Sequence, residues 1–494
     1  MLAAMPVPPT SPADRDETCR TGATVRDRGD ACPGALRLHP ADDGGLARVR
    51  VPAGLLTARQ AEVLACAARE LGDGRLDITS RGNVQLRGLA SGAGGELGER
   101  LRGAGLLPSD RHDRVRNVVA SPLCGLDGAS AGGARTDVQS WARALDALLC
   151  AGGTDTTDAA DPTGAKHDAD DATNTDGVTG DLSALSGRFL FGLDDGRGDI
   201  VALAPDVTLI AEPGGTGAED GPTALLCFAT DGPGLRVAAG DAPRAAVLAA
   251  REFLAAVRGS GDRAWRVRDL APERRPRPEA LARRLTAAGI GCVLVPHVAL
   301  PLGPPTAPGP VHGHDGRWAL SVTAPLGRLS ASQWRLVART ADRDGDGELR
   351  VTPWRGIVVP GLSAGAAAAA AAALADAGLI TSADSPWYGA GACAGRPGCA
   401  KSLADVRADA AAALTGARPG GAGTLPVYWS GCERRCGHPA DGRWVDVLAT
   451  GDGYRITVRD GDRDGTTHAA APEDLAEAVA AARTTGTTRT TRTP

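Results

Sequence analysis

Gly72-Asp73-Gly74-Arg75-Leu76-Asp77-Ile78-Thr79 returns 273 positions later as Gly345-Asp346-Gly347-Glu348-Leu349-Arg350-Val351-Thr352. The same offset takes Pro52 to Pro325, Gly54 to Gly327, Ala58 to Ala331, Gln60 to Gln333, Gly88-Leu89 to Gly361-Leu362 and Ala104-Gly105-Leu106 to Ala377-Gly378-Leu379. Register held without a gap over that distance marks an internal duplication. Each copy reads as a strand (47–51; 318–322), a turn, and a helix whose first backbone N–H groups Thr57 or Ser330 can cap. A Gly-Asp-Gly turn, two more strands and a helix reaching Gly105 or Gly378 complete the unit. Two like units pack about a pseudo-twofold axis because like faces are self-complementary, and a cleft forms at their junction.

At 494 residues the chain is too long for one core, so two to four domains are expected. Outside the repeat, residues 151–179 are rich in Asp, Thr, Ala and Gly, and read as a disordered insertion that cannot bury a core. The tails 1–30 and 483–494 read likewise. A formal net charge of -5 provides no global basic field, so neither nucleic acid nor an anionic membrane is implied as a partner. No stretch approaches the roughly 20 apolar residues of a membrane span, and no signal peptide is apparent, so the cytoplasm is the expected location.

Two Asp-x-Asp-x-Asp-Gly stretches, 342–347 and 460–465, imitate half a calcium loop, but Pro353 and Ala471 stand where a bidentate Glu is needed, so calcium is rejected. Of the eleven cysteines only Cys393, Cys399, Cys432 and Cys436 fall into close pairs, unlike a secreted disulfide framework. Cys19, Cys66, Cys150, Cys227 and Cys292 read as small hydrophobes or incidental thiols. Five residues separate Cys393 from Cys399 and three separate Cys432 from Cys436, each pair in Gly-rich sequence, with a helix expected over 402–414 between them. Glycine lets backbone approach a cuboidal iron-sulfur cluster and aim N–H groups at it. Structural zinc is the alternative, although its knuckles favour two to four intervening residues.

Cys-x5-Cys followed by Gly-Cys-x3-Cys, downstream of a duplicated α+β unit, resembles the sirohaem-type sulfite and nitrite reductases and their precorrin-3B synthase branch, over about Cys32 to Asp460. The resemblance implies an α+β fold of duplicated ferredoxin-like half-domains related by a pseudo-twofold, plus two α/β domains of sirohaem/[4Fe-4S] type. The expected boundaries are 31–125 for the first half-domain, 126–260 for the first α/β domain, 261–315 for a linker, 316–392 for the second half-domain and 393–482 for the cluster domain. It implies a [4Fe-4S] cluster on the four cysteines. Thr79, Arg81, Asn83 and Gln85 look like the segment that lines the tetrapyrrole, and Arg116-Asn117 resembles a second lining segment. A polycarboxylated macrocycle suits arginine, whose fork donates in pairs to carboxylate. At position 81 plus the offset the second copy has Trp354, as expected if one half binds the macrocycle and the other carries the cluster.

Three features resemble the synthase branch. In Gly187-Arg188-Phe189-Leu190-Phe191, Leu190 replaces the second lysine with which the reductases hold a small oxyanion, while Arg188 can still reach a carboxylate. The opening Ala31-Cys32-Pro33-Gly34, followed by Asp43-Gly44-Gly45-Leu46-Ala47-Arg48, looks like the start of that branch. Gly431-Cys432-Glu433-Arg434-Arg435-Cys436-Gly437-His438-Pro439 is similar to its cluster motif, with Arg434 where Lys is usual. The implied reaction is a monooxygenation in aerobic cobalamin biosynthesis: precorrin-3A is hydroxylated at C20 with O2, and a ring A acetate closes to a γ-lactone. A cluster alone does not insert oxygen, so a second, non-haem iron is implied, with His438, His312 and His314 as candidate ligands. No Rossmann motif is present, so NADH or NADPH is expected to act through a partner reductase. The alternative is a ferredoxin-dependent sirohaem sulfite or nitrite reductase.

Overall fold

The computed structural model describes residues 32–127, 137–151, 182–212, 221–228, 232–261, 263–415, 417, 424–439, 442–460 and 463–484. The expected disordered segments lie outside these residues apart from Ala151, Arg483 and Thr484. Arg483 is no tail residue. It is buried, and its guanidinium donates to the carbonyls of Leu425, Pro386 and Tyr388.

The first repeat contains β1 (His39–Ala41), β2 (Gly44–Val49), β3 (Leu55–Thr57), α1 (Ala58–Leu71), β4 (Arg75–Ile78), β5 (Val84–Leu89) and α2 (Ala93–Gly103). An α/β domain follows with β6 (Val118–Ala120), α3 (Val138–Cys150), β7 (Phe191–Asp194), β8 (Val207–Glu212), β9 (Thr223–Phe228), β10 (Gly234–Ala238), α4 (Ala242–Ser260), α5 (Pro278–Ala287) and β11 (Cys292–Val295). The second repeat has β12 (Gly309–His312), β13 (Trp318–Thr323), β14 (Arg328–Ser330), α6 (Ala331–Asp344), β15 (Glu348–Val351), β16 (Gly356–Leu362) and α7 (Ala364–Asp376). The last domain has β17 (Ala390–Ala392), α8 (Val406–Leu414), β18 (Val427–Ser430), β19 (Arg443–Thr450), β20 (Gly453–Asp460), β21 (Arg463–Ala470) and α9 (Leu475–Thr484).

Thr57 and Ser330 each close a capping box with Gln60 and Gln333, as the sequence predicts. The repeats are not separate units, however. Each lends its shortest strand to the other's sheet, giving the orders β1-β2-β5-β4-β14 and β12-β13-β16-β15-β3. Thr57 pairs with Glu348 and Ser330 with Arg75, which are reciprocal positions under the 273 offset. Trp334 Nε1 donates to the carbonyl of Ala61 at 2.8 Å and Arg335 Nε to Glu62 at 2.7 Å; each residue thus touches its own counterpart in the other copy. Such contacts occur only where a twofold axis passes, here between α1 and α6. One core, including Leu64, Leu86, Trp334 and Val359, serves both copies.

Backbone strain repeats too. Ala53 and Leu326 hold φ of 54° and 52°, and Gly82 (φ 65°) has Arg355 (φ 61°) as its counterpart. A side chain in that left-handed region costs roughly 1–2 kcal/mol, so Arg355 sits there against its preference.

The α/β domain forms a six-stranded sheet ordered β11-β10-β9-β8-β7-β6, with β6, β7 and β8 parallel. Its last strand corrects the boundary at 260: α5 and β11 fall in the expected linker, and α5 packs Leu281 and Leu285 into the domain core. Frequent Arg and Pro in 261–280 obscure that amphipathic pattern. The last domain has the order β17-β18-β19-β20-β21 and begins at Ala390, before the first cysteine of the quartet.

Candidate functional site

Cys393 follows β17 and Cys432 follows shortly after β18, and these strands are adjacent and parallel. Two loops 30 to 40 residues apart in sequence therefore leave the same end of one sheet. Cys393 N donates to the Trp429 carbonyl, Leu403 N to the Gly431 carbonyl, and Gly431 N to Cys393 Sγ at 3.2 Å. Gly431 is required there, since a Cβ would lie 1.8 Å from Ser402 Oγ.

The other parts of the chain hold these loops from outside. Arg87 forms a two-bond pair with Asp43 and donates to the Gly398 carbonyl at 2.8 Å, while Asp42 accepts from Ala400 N. Arg407 Nε reaches the Cys393 carbonyl and its Nη1 reaches Asp77, each at 3.0 Å. Asp77 also takes both arms of Arg328. Burial alone would raise the Asp77 carboxyl, but the hydrogen bonds and charges of Arg328 and Arg407 outweigh it and hold the group down at about 2. In the second loop, Tyr428 Oη donates to the Cys436 carbonyl at 2.6 Å, and Arg435 pairs with buried Asp446. Arg355 lies over the Tyr428 ring at 5.8 Å.

Cys436 is exposed and the other three thiols are half-buried. Burial, then the neighbouring Cys432, Cys393 and Cys399, push its thiol up, so the four sulfurs feel one another. Yet among the described residues they are not gathered within 4.8 Å of one another. Four thiolates on one zinc ion would sit about 3.8 Å apart from bonds of about 2.3 Å. The wider spacing, the Gly431 approach and the all-sulfur donor set fit an iron-sulfur cluster.

A cluster of arginines is built by the first repeat and the α/β domain around Cys32 and the Gly187 carbonyl. Arg50 is 2% exposed, donating to the Arg114 and Gly187 carbonyls and to Cys32 Sγ at 3.2 Å. Arg48 donates to Gln85 and Cys32, but its Nε is buried with no hydrogen-bond partner. Arg81 makes a long 3.4 Å bond to the Gly187 carbonyl, and burial together with the charges of Arg266 and Arg50 lowers it to about 10. Burial, then Arg50, also lowers Arg48. Guanidiniums that repel one another are stabilised by a carboxylate or another anion placed among them.

Of the residues expected at a tetrapyrrole, Thr79 organises the turn by accepting from Arg81 N and Asn83 N. Asn83 and Asn117, both buried, bond each other and hold Val51 N and the Phe189 carbonyl. Gln85 steadies Arg48. Arg188 is exposed and stacks 4.2 Å over Trp265, and Arg434 is exposed beside Cys436. Arg116 departs from expectation: it is 4% exposed and spends its guanidinium on both oxygens of Asp146 and the Leu106 carbonyl. A carboxylate on α3 supplies the charge partner that a buried arginine requires. Leu190 is buried with Val119 and Ile200, and Trp354 packs against them.

The candidate iron ligands do not converge. His438 stacks on Trp444 with its Nδ1 at the Pro439 carbonyl, His312 meets Trp318 edge-on, and His314 is exposed. Among the described residues none of the three histidines belongs to a set of three ligating side chains within 4.8 Å of one another.

The nitrite/sulfite reductase ferredoxin-like half domain matches residues 39–103 and again 311–377. A precorrin-3B synthase from Sinorhizobium sp is 25% identical over 444 residues, covering 88% of this chain and 84% of that protein. A ferredoxin–nitrite reductase from Synechococcus elongatus is 40% identical over 97 residues, but the match spans only 19% of either chain. The solved structure of Mycobacterium tuberculosis NirA protein superposes with a TM-score of 0.62 at 18% identity, covering 88% of this chain and 79% of that one.

Proposed function

From the similarity to a precorrin-3B synthase over 88% of this chain and the two half domains within it, we propose a monooxygenase of the precorrin-3B synthase type. It hydroxylates precorrin-3A at C20 with O2 and two electrons from NADH or NADPH, delivered by a partner reductase, and forms the γ-lactone; because a cluster alone does not insert oxygen, a second, non-haem iron would supply the O2 chemistry. The remaining oxygen atom leaves as water. The cytoplasm is the proposed location.

Cys393, Cys399, Cys432 and Cys436 would hold a [4Fe-4S] cluster, which when bound supplies electrons singly. Arg81, which makes one long 3.4 Å bond to the Gly187 carbonyl, offers donors to carboxylates of the macrocycle, Arg188 and Arg434 add exposed charge, and Arg50 holds Gly187 and Cys32 in place. Each charged hydrogen bond to a carboxylate is worth about 1.5–3 kcal/mol. Leu190 is buried with Val119 and Ile200, and Trp354 packs against them, so no charged side chain stands at that position to hold a small oxyanion.

The observation that carries the choice within the family is Leu190, sealed in an apolar cluster where the oxyanion reductases are expected to place a lysine. The strong local similarity to nitrite reductases supports the alternative, a ferredoxin-dependent sirohaem reductase. Anaerobic purification with iron, acid-labile sulfide and metal analysis, joined to an optical spectrum, separates them. The expected protein has a broad cluster absorption without sirohaem bands, and consumes O2, reduced nicotinamide and precorrin-3A when a competent reductase is added. Intense sirohaem bands with sulfite or nitrite reduction would reverse the choice, and stoichiometric zinc without sulfide would end both readings.

A further inference from the structure

The two repeats place an arginine differently in the same turn. In the first copy Arg81 precedes Gly82, which takes the left-handed position at φ 65°. In the second, Trp354 stands at the counterpart of Arg81, and Arg355 occupies the left-handed position itself at φ 61°. Glycine adopts that conformation freely and arginine does not, so the local backbone gives no reason for an arginine here. The reason lies at the far end of the side chain.

That end reaches between the two cysteine loops. Arg355 Nη1 is 3.0 Å from where a Cβ on Gly391 would stand, two residues before Cys393. Nη2 donates to the carbonyl of Gly437, next to Cys436, at 3.4 Å. The guanidinium lies 5.8 Å from the centre of the Tyr428 ring, within cation–π range, and Tyr428 Oη donates to the Cys436 carbonyl. Small residues keep the path open: a Cβ on Gly327 would meet Arg355 Cδ at 2.4 Å, and one on Gly437 would meet Tyr428 Oη at 2.7 Å. Burial pushes the Tyr428 hydroxyl up to about 12, the charge of Arg355 lowers it, and Cys393 and Cys436 raise it, so one ring feels the guanidinium and a cysteine from each loop.

Neighbouring guanidiniums are neutralised, and this one is not. Arg407 pairs with Asp77, and Arg435 pairs with Asp446 and Glu433. Among the described residues no carboxylate pairs with Arg355. Arg434 also acts on Cys436, but it is exposed, where water and salt screen it. A group held by four thiolates becomes more negative with each electron it accepts, and an unneutralised positive charge beside it favours that state.

We propose that Arg355 is an electrostatic positioning residue: it holds a net positive charge between the two cysteine loops and thereby raises the reduction potential of the [4Fe-4S] cluster. This rests on the cluster reading of Cys393, Cys399, Cys432 and Cys436, and on neither the substrate nor the oxygenation proposed above.

The test uses the full chain, purified without oxygen, in a redox titration followed by visible absorption and electron paramagnetic resonance. At the wild-type midpoint potential, Arg355→Gln should show a reduced-to-oxidised ratio about tenfold lower, a shift of about 59 mV to more negative values for one electron. Arg355→Lys keeps the charge and should recover most of that shift. Arg355→Gly relieves the turn, so it should fold at least as well as the wild type and match Arg355→Gln in potential. Midpoints of Arg355→Gln and Arg355→Gly equal to that of the wild type would overturn the proposal. So would a shift in Arg355→Lys as large as in Arg355→Gln, or loss of the cluster from both uncharged variants, since either would assign Arg355 to loop geometry alone. A wild type without acid-labile sulfide would instead end the cluster reading, and this inference with it.

Discussion

Arg407 and Asp77, 330 residues apart, are joined at 3.0 Å, and the same guanidinium holds the carbonyl of Cys393 at 3.0 Å. Asp77 lies two residues before Thr79 and four before Arg81. One side chain therefore fastens the first cysteine loop to the strand that leads to Thr79 and Arg81. Replacing it with Met leaves the Cys393 carbonyl unpaired and Asp77 with Arg328 alone. Arg407→Met should cost about 1–3 kcal/mol in urea unfolding and lower the iron content, whereas Arg328→Met should lower stability without removing the Cys393 contact.

Asp77 predicts a pH dependence. Its carboxyl is held down at about 2 in the folded chain, so the stability it contributes is full above its unfolded value near 4 and is lost as pH falls through about 2. The gap corresponds to about 2 kcal/mol at neutral pH. The difference in unfolding free energy between wild type and Asp77→Asn should stay constant from pH 7 to 5 and shrink below about 4. A difference that grows toward acid would contradict this sign.

Gly431 is set against Ser402 too closely for a methyl group. Gly431→Ala should displace the loop between the cysteine pairs, cost about 1–3 kcal/mol, and reduce acid-labile sulfide per chain. Adding Ser402→Gly removes the obstructing atoms and should restore part of the sulfide. Without any rescue, the close approach is not the cause.

Arg81 and Arg116 should separate binding from folding. Arg81→Ala should weaken tetrapyrrole binding by about 1.5–3 kcal/mol in fluorescence titration with little change in unfolding. Arg116→Ala strands Asp146, so it should cost about 3–5 kcal/mol of stability while the folded fraction binds normally. The opposite pattern would place Arg116, not Arg81, on the substrate.

Much of the architecture was legible because it is written in local spacing. Thr57 and Ser330 announce helix starts, Gly-Asp-Gly announces a turn, and a shared offset announces two copies. The exchange of β3 and β14 was not legible. Each is a three-residue strand whose twin has the same pattern, so either sheet could accept it, and only packing α1 on α6 through Trp334 and Arg335 settles the choice. Arg48 and Arg50 were missed as members of the arginine cluster because arginines on a strand read as solvated. Their alternation with Ala47, Val49 and Val51, which places both on the face away from the core, was the available signal.

The duplication, the helix starts and the separateness of the four paired cysteines were readable along the chain, since these depend on neighbours along the backbone. Folding alone assigned Arg116 to Asp146 and brought Arg407 between Asp77 and Cys393. A side chain's spacing shows which face it can occupy. Its partner is chosen by the need to compensate buried charge, and that partner can come from hundreds of residues away.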